Sequence, residues 1–236
     1  MTGQRVSKDA RGPADHVRLR VQLLDVKPTP WRRVVVPAAI RLDRLHRVLQ
    51  AAMGWEDAHL WRFHLPGVDY GPEVSKSLQA PLSRFRLRTG ERFTYTYDFG
   101  DWWEHEVRME AAAPADARGL VPRCVGGNGT CPPEDCGGPA AYAEQVGEAL
   151  GLSASLDLAN FAEFGRDMLA AKETGDWSPI TDPDRLNKLD RVVRRSQRRF
   201  RLTDPFSKAA ANDRLAALAA EAALSVVAKD YSWERP

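Results

Sequence analysis

A chain of 236 residues can bury a core without disulfide or metal staples, and 43% apolar residues with 7 tryptophans belong to a globular protein. Lys and Arg number 34 against 32 Asp and Glu, leaving a net charge of +2, so any affinity for nucleic acid has to come from local patches. The opening MTGQRVSKDARGPADH offers no apolar run to a signal peptide, and no stretch approaches the ~18 apolar residues of a membrane span. These features predict a cytoplasmic protein with no membrane partner and with reduced thiols, where a tight cysteine cluster implies metal or reactivity before disulfides.

The first fifteen residues are polar and are predicted to be disordered. From His16, HVRLRVQLLDV alternates Val17, Leu19, Val21 and Leu23 against polar neighbours, the period of a half-buried strand. Pro28 and Pro30 turn the chain, and WRRVVVP returns as a second strand that Pro37 stops. Leu42, Leu45, Leu49 and Ala52 form the stripe of an amphipathic helix that packs on the sheet, with Gly54 as its C-terminal cap. His46 flanks that stripe and reads as an interfacial histidine. HLWRFHL, residues 59 to 65, is a third strand, after which Gly67, Gly71 and Pro72 open a loop.

Two strands register against each other from pattern alone. Pairing Tyr97 with Trp103, Tyr95 with His105 and Phe93 with Val107 puts both apolar sets on one side, whereas a slip of one residue would bury Glu104 and Glu106. The connecting hairpin loop is then Asp98-Phe99-Gly100-Asp101-Trp102. Beyond Met109 no periodicity is visible up to Gly138, and prolines and glycines argue there against both helix and strand. Pro139 starts a helix that runs to Gly151, and a second carries Leu158, Phe161, Phe164 and Met168. Residues 185–201 hold eight Lys or Arg and one acid on an apolar stripe, a basic amphipathic helix. Thr203-Asp204-Pro205 breaks it, and an alanine-rich helix from about Ser207 to Lys229 follows.

All three cysteines fall in CVGGNGTCPPEDCGG, at spacing C-x6-C-x4-C. One reading is a structural Zn²⁺ held by Cys124, Cys131, Cys136 and an imidazole, with His105 the first choice and His59 and His64 next, fixing the long loop to the sheet. In the other, Cys124 packs as a small apolar residue and turns hold the loop. A nucleophilic Cys136 is opposed by its neighbours Glu134 and Asp135. Asp98, Asp101, His105 and Glu134 form a second constellation, able to surround a catalytic cation if the hairpin and PPED loops converge. Their simpler roles are capping turn N–H groups and, for His105, a partly buried hydrogen bond. Arg185, Lys188, Arg191, Arg194, Arg195, Arg198 and Arg199 of the basic helix are the nucleic-acid candidates, against a solvated face neutralised by acids elsewhere. Trp31, Trp55, Trp61, Trp102 and Trp103 read as core, with a stacking platform as the alternative.

VKPTPWRRVVVP, LHRVLQAAMGWEDAHLWRFH, YTYDFGDWWEHEV and CVGGNGTCPPEDCGG, in this order, resemble the successive signatures of the Ri-plasmid ORF-three-like proteins of plasmids and insertion elements. The resemblance covers roughly residues 16 to 150 and more weakly to about residue 195. It implies an α+β fold with a mixed, largely antiparallel sheet, a packed helix and a C-terminal helical part. The expected organisation is a domain over 16–202 with an additional helix over 203–236. The label "resolvase-like" used for some members finds no support, because the first serine, Ser7, lies in the polar tail and no Arg-His-Arg-Tyr set is present. The leading expectation is a binding module of mobile DNA that contacts nucleic acid or an acidic protein. A metal-dependent hydrolase or nuclease using Asp98, Asp101, His105 and Glu134, and a protein-interaction or regulatory partner, are the alternatives.

Overall fold

A computed structural model describes residues 16–74, 77–113 and 122–230, with the side chains of 112, 113, 198, 201, 203 and 222–230 outside the description. The predicted disordered tail before His16 lies outside the described residues. Those up to Gly129 and from Ser207 onward form one compact unit, and Thr130–Phe206 form another.

The first unit is built on β1 (His16–Leu23), β2 (Trp31–Pro37), α1 (Leu42–Met53), β3 (Trp61–Leu65), β4 (Val68–Tyr70), a 3₁₀ turn at Leu82–Phe85, β5 (Arg92–Tyr97), β6 (Trp103–Ala113) and β7 (Arg123–Asn128). The strands make one seven-stranded sheet in the order β4-β3-β5-β6-β1-β2-β7, and every pair is antiparallel. The pairing of β5 with β6 runs Phe93↔Val107, Tyr95↔His105 and Tyr97↔Trp103, the register that the alternation predicts. One face is apolar: Leu19, Val34, Phe63, Tyr95, Tyr97, Trp103 and Val107 are fully buried. Each such large side chain contributes on the order of 2–3 kcal/mol by leaving water.

The apolar stripe of α1 lies against that face. Gly54 ends the helix in the left-handed conformation, φ 104°, and its N–H closes on the Gln50 carbonyl 2.8 Å away. His46 is buried and stacks on Trp61 at 4.1 Å. Its Nε2–H donates to Asp57 Oδ1 (2.5 Å), which leaves Nδ1 to accept from the Tyr95 hydroxyl (2.8 Å). Gln50 Nε2 donates to the same hydroxyl at 2.9 Å, so the buried polar atoms between helix and sheet satisfy one another. Buried Arg32 joins helix to sheet, donating to the carbonyls of Ala52 (3.1 Å), Trp31 (2.9 Å) and Asn128 (2.9 Å).

The stretch beyond Met109 corrects the sequence reading. β6 runs on to Ala113, and Arg123–Asn128, expected to be irregular, is an edge strand paired with β2. Its missing side-chain alternation does not matter at an edge, where backbone hydrogen bonds to β2 supply the order. Gly129 ends the strand at φ +79°, and a Cβ there would stand 2.8 Å from Pro30 Cα. The short strand β4 was likewise hidden in a stretch read as loop.

The second unit is helical, with α2 (Gly138–Leu150), α3 (Leu152–Thr174), the single turn α4 (Ser178–Thr181) and α5 (Pro183–Thr203). Asp182 caps α5 by accepting from Arg185 N–H at 2.9 Å. The last helix, α6 (Lys208–Asp230), returns to the first unit, where Asn212 lies along β7. Its carboxamide oxygen accepts from Cys124 N–H (2.8 Å) and its amide donates to the Cys124 carbonyl (2.9 Å), imitating a neighbouring strand.

Candidate nucleic-acid interface

The residues singled out in the sequence fall in both compact units. His105 faces the core with 0% exposure, its Nδ1–H donating to the Tyr95 carbonyl (3.1 Å) and the edge of its ring meeting Trp55. Burial pushes the imidazole down to about 4, against a smaller lift from backbone groups of Tyr95 and Trp103. The expected partnership of His105 with Cys124 is corrected by sheet geometry. Cys124 pairs with Val34, Val34 with Leu19, and Leu19 with Met109, four residues along β6 from His105. Three strand spacings of ~4.8 Å and four rises of ~3.3 Å therefore separate them, whereas zinc takes its ligands at ~2.0–2.3 Å. Cys124 is 3% exposed, its thiol directed at the Gly126 carbonyl (3.3 Å) and pushed up by burial.

Asp98 is 6% exposed and caps its own turn, accepting from the N–H groups of Gly100 (2.9 Å) and Asp101 (3.3 Å), with His59 Nε2 3.6 Å from its other oxygen. Glu134, Cys131 and Cys136 belong to the second unit, half-buried in the turn before α2, where the Cys136 carbonyl accepts from Gln145 (2.8 Å). Tyr142 of α2 donates to the Leu202 carbonyl (3.2 Å); burial, reinforced by the thiols of Cys131 and Cys136, pushes its hydroxyl up to about 12.

Much of the positive charge on α5 is consumed within its own unit. Asp157, 3% exposed, accepts from Arg195 (2.6 and 3.1 Å) and from Arg199 (2.7 Å), and the hydrogen bond from Arg195 leads in holding its carboxyl below the usual range. Arg185 pairs with Asp167, and Arg194 with Asp190 at 2.7 Å. Lys188 and Arg191 are exposed, and the Arg198 side chain lies outside the described residues.

A different basic surface emerges on the polar face of the sheet. Arg92 on β5 pairs with Arg108 on β6, Arg108 with Arg20 on β1, and Arg20 with Arg33 on β2, so four arginines stand in one row across four adjacent strands. Like charges directly opposite each other destabilise a sheet. Glu110 relieves one end, accepting from Arg33 (2.6 and 2.8 Å) and Arg18 (3.1 Å), and these partners, Arg33 foremost, hold its carboxyl low. Glu106 relieves the other, accepting from Arg92 at 2.7 Å. Arg20 and Arg33 also lie over the Trp31 ring at 4.7 and 5.3 Å. Among the described residues, Arg20 and Arg108 in the middle of the row have no carboxylate partner. Five arginines thus face two carboxylates in a concavity of about 600 Å³. The sequence carried one signal for this row: extending the hairpin register from 93↔107 by one residue pairs Arg92 with Arg108.

The chain matches the model of the family described as Plasmid pRiA4b ORF-3-like protein over residues 15–154. It is 45% identical over 139 residues to uncharacterized protein y4hQ of Sinorhizobium fredii (strain NBRC 101917 / NGR234), covering 56% of this chain and 71% of that one. Among solved structures it is similar to the protein of unknown function MM3350 from Methanosarcina mazei Go1, with a TM-score of 0.53 and 33% identity over 57% of this chain and 80% of that one.

Proposed function

The chain belongs to the plasmid pRiA4b ORF-3-like family, and from that premise we propose that it is a nucleic-acid-binding module whose contact surface is the polar face of the sheet. The observation that carries this reading is the row Arg92-Arg108-Arg20-Arg33, whose mutual repulsion the fold tolerates while, among the described residues, its two central guanidinium groups form no ion pair. A phosphate backbone supplies what the row lacks, evenly spaced negative charge and acceptor oxygens for the guanidinium forks. Contacts of this kind position a backbone without reading bases, so binding is expected to be tolerant of sequence.

The catalytic alternative draws less support. His105 is wholly buried and donates its Nδ1 proton to a carbonyl, and Asp98 commits one carboxylate oxygen to its own loop, with His59 beside the other.

The test is binding of labelled oligonucleotides by the full chain over increasing salt. Affinity is expected to fall steeply between about 50 and 200 mM salt, and Arg20→Ser with Arg108→Ser to flatten the slope by about 1.4 for a single strand, at roughly 0.7 per phosphate contact. Lack of binding to any strand or duplex at low salt would overturn the reading, as would capture of an acidic protein by the same arginines with no competition from oligonucleotides.

A further inference from the structure

The loop between β5 and β6 is built at some cost. Asp98 and Trp102 both adopt the left-handed conformation, with φ of 56° and 58°. An aspartate is at ease there, and Asp98 uses the geometry to cap the loop. A bulky aromatic gains nothing from it, so the strain at Trp102 calls for a return elsewhere. Core packing does not provide that return: Trp102 is 46% exposed while the adjacent Trp103 is 0% exposed.

The Trp102 indole stands against a side chain of the sheet's polar face. It lies beside Phe99, with ring centroids 6.0 Å apart, and the Arg62 guanidinium stands 5.1 Å from the Trp102 ring and 5.6 Å from that of Phe99. Arg62 lies on β3 between buried Trp61 and Phe63, and so on the polar face, and it pairs with Thr96. Thr96 is four residues along β5 from Arg92, the first member of the arginine row, a rise of about 13 Å.

We infer that Trp102, braced by Phe99 and Arg62, is a stacking shelf for an unpaired nucleobase of a single strand whose phosphates lie on the arginine row. This rests on the nucleic-acid reading above and adds to it the choice of single strand over duplex. A base inside a duplex cannot offer its face to an indole, whereas an extended strand presents bases and phosphates together, and any base has a face to stack. Aromatic shelf and cationic row, separated by a few nucleotides on one open surface, are the two parts such binding requires.

The test compares a short oligothymidylate, an abasic strand of the same length and the corresponding duplex, each against the full chain. The native chain is expected to prefer the oligothymidylate to the other two. Trp102→Ala is expected to lose about tenfold in affinity for it, to leave the salt slope unchanged and to erase the preference over the abasic strand, while Trp102→Phe retains most of the affinity. Trp102→Gly is expected to raise the melting temperature by relieving the left-handed strain, while binding is lost. Equal binding of oligothymidylate by Trp102→Ala and the native chain would remove the shelf and leave the arginine row standing. A fall in melting temperature for Trp102→Gly would make Trp102 a structural residue and overturn the inference. No binding of any probe by the native chain would remove both readings together.

Discussion

The two arginine-rich surfaces of this molecule differ in how their charges are paired. On α5 the cations are concentrated in a short stretch of sequence, yet Arg195 and Arg199 hold Asp157, Arg185 holds Asp167, and Arg194 holds Asp190. On the sheet the cations come from four separate strands, and Arg20 and Arg108 find no acid among the described residues. Density of charge along a sequence therefore says less about ligand binding than whether the fold has already neutralised that charge. The same division runs through the molecule: Arg32, His105, Asp157 and Asn212 are spent on structure, whereas Arg20 and Arg108 form no ion pair among the described residues and Trp102 is exposed.

That division can be attacked one residue at a time, since a spent group should change stability and leave binding alone. Arg32→Leu strands the carbonyls of Ala52, Trp31 and Asn128, and its expected cost is about 3 kcal/mol in chemical denaturation, with oligonucleotide affinity at low salt unchanged.

His105 makes a pH prediction. Its folded value of about 4 lies below the ordinary 6.5, so below that ordinary value the unfolded chain binds a proton that the folded chain refuses. The stability held above pH 6.5 is lost as pH falls toward 4, about 2 kcal/mol of it by pH 5. His105→Phe should flatten stability against pH in this window, where His46, which burial also depresses, adds a slope of the same sign. An unchanged slope would contradict the buried, neutral imidazole.

Asp157→Asn removes the carboxylate shared by Arg195 and Arg199, the former about half exposed, so the expected loss is about 1–2 kcal/mol. Because this carboxyl is held low, its contribution is present above the ordinary aspartate range and disappears as pH falls through the folded value. The same substitution releases two arginines, and a modest gain in oligonucleotide affinity would show that charge on α5 is withheld by pairing. The smallest effect is expected for Asn212→Ala, about 1 kcal/mol, from the two hydrogen bonds to Cys124, with faster amide exchange along β7.

How far the sequence could be read depended on whether order came from side-chain pattern or from backbone. The β5–β6 register, the α1 stripe with its Gly54 cap and the extent of α5 were legible because burial imposes periods of two or 3.6 residues on them. β7 was not, because Arg123–Asn128 contains two glycines and owes its place to β2 and to Asn212, 88 positions from Cys124. The pairing of Cys124 with His105 fails for a related reason: chain proximity suggests it, but sheet order inserts β1 and β2 between them. The arginine row needed three registers at once, of which only one was available from pattern. Trp102 reads like a core tryptophan because periodicity does not reveal a left-handed φ.

The most direct test sets the two arginine surfaces against each other in one salt titration of oligonucleotide binding. Arg20→Ser with Arg108→Ser is predicted to cost on the order of a hundredfold at low salt, and Lys188→Ser with Arg191→Ser to change affinity by less than about threefold. The reverse ranking, with the helix pair decisive and the sheet pair neutral, would contradict the assignment of the interface to the sheet.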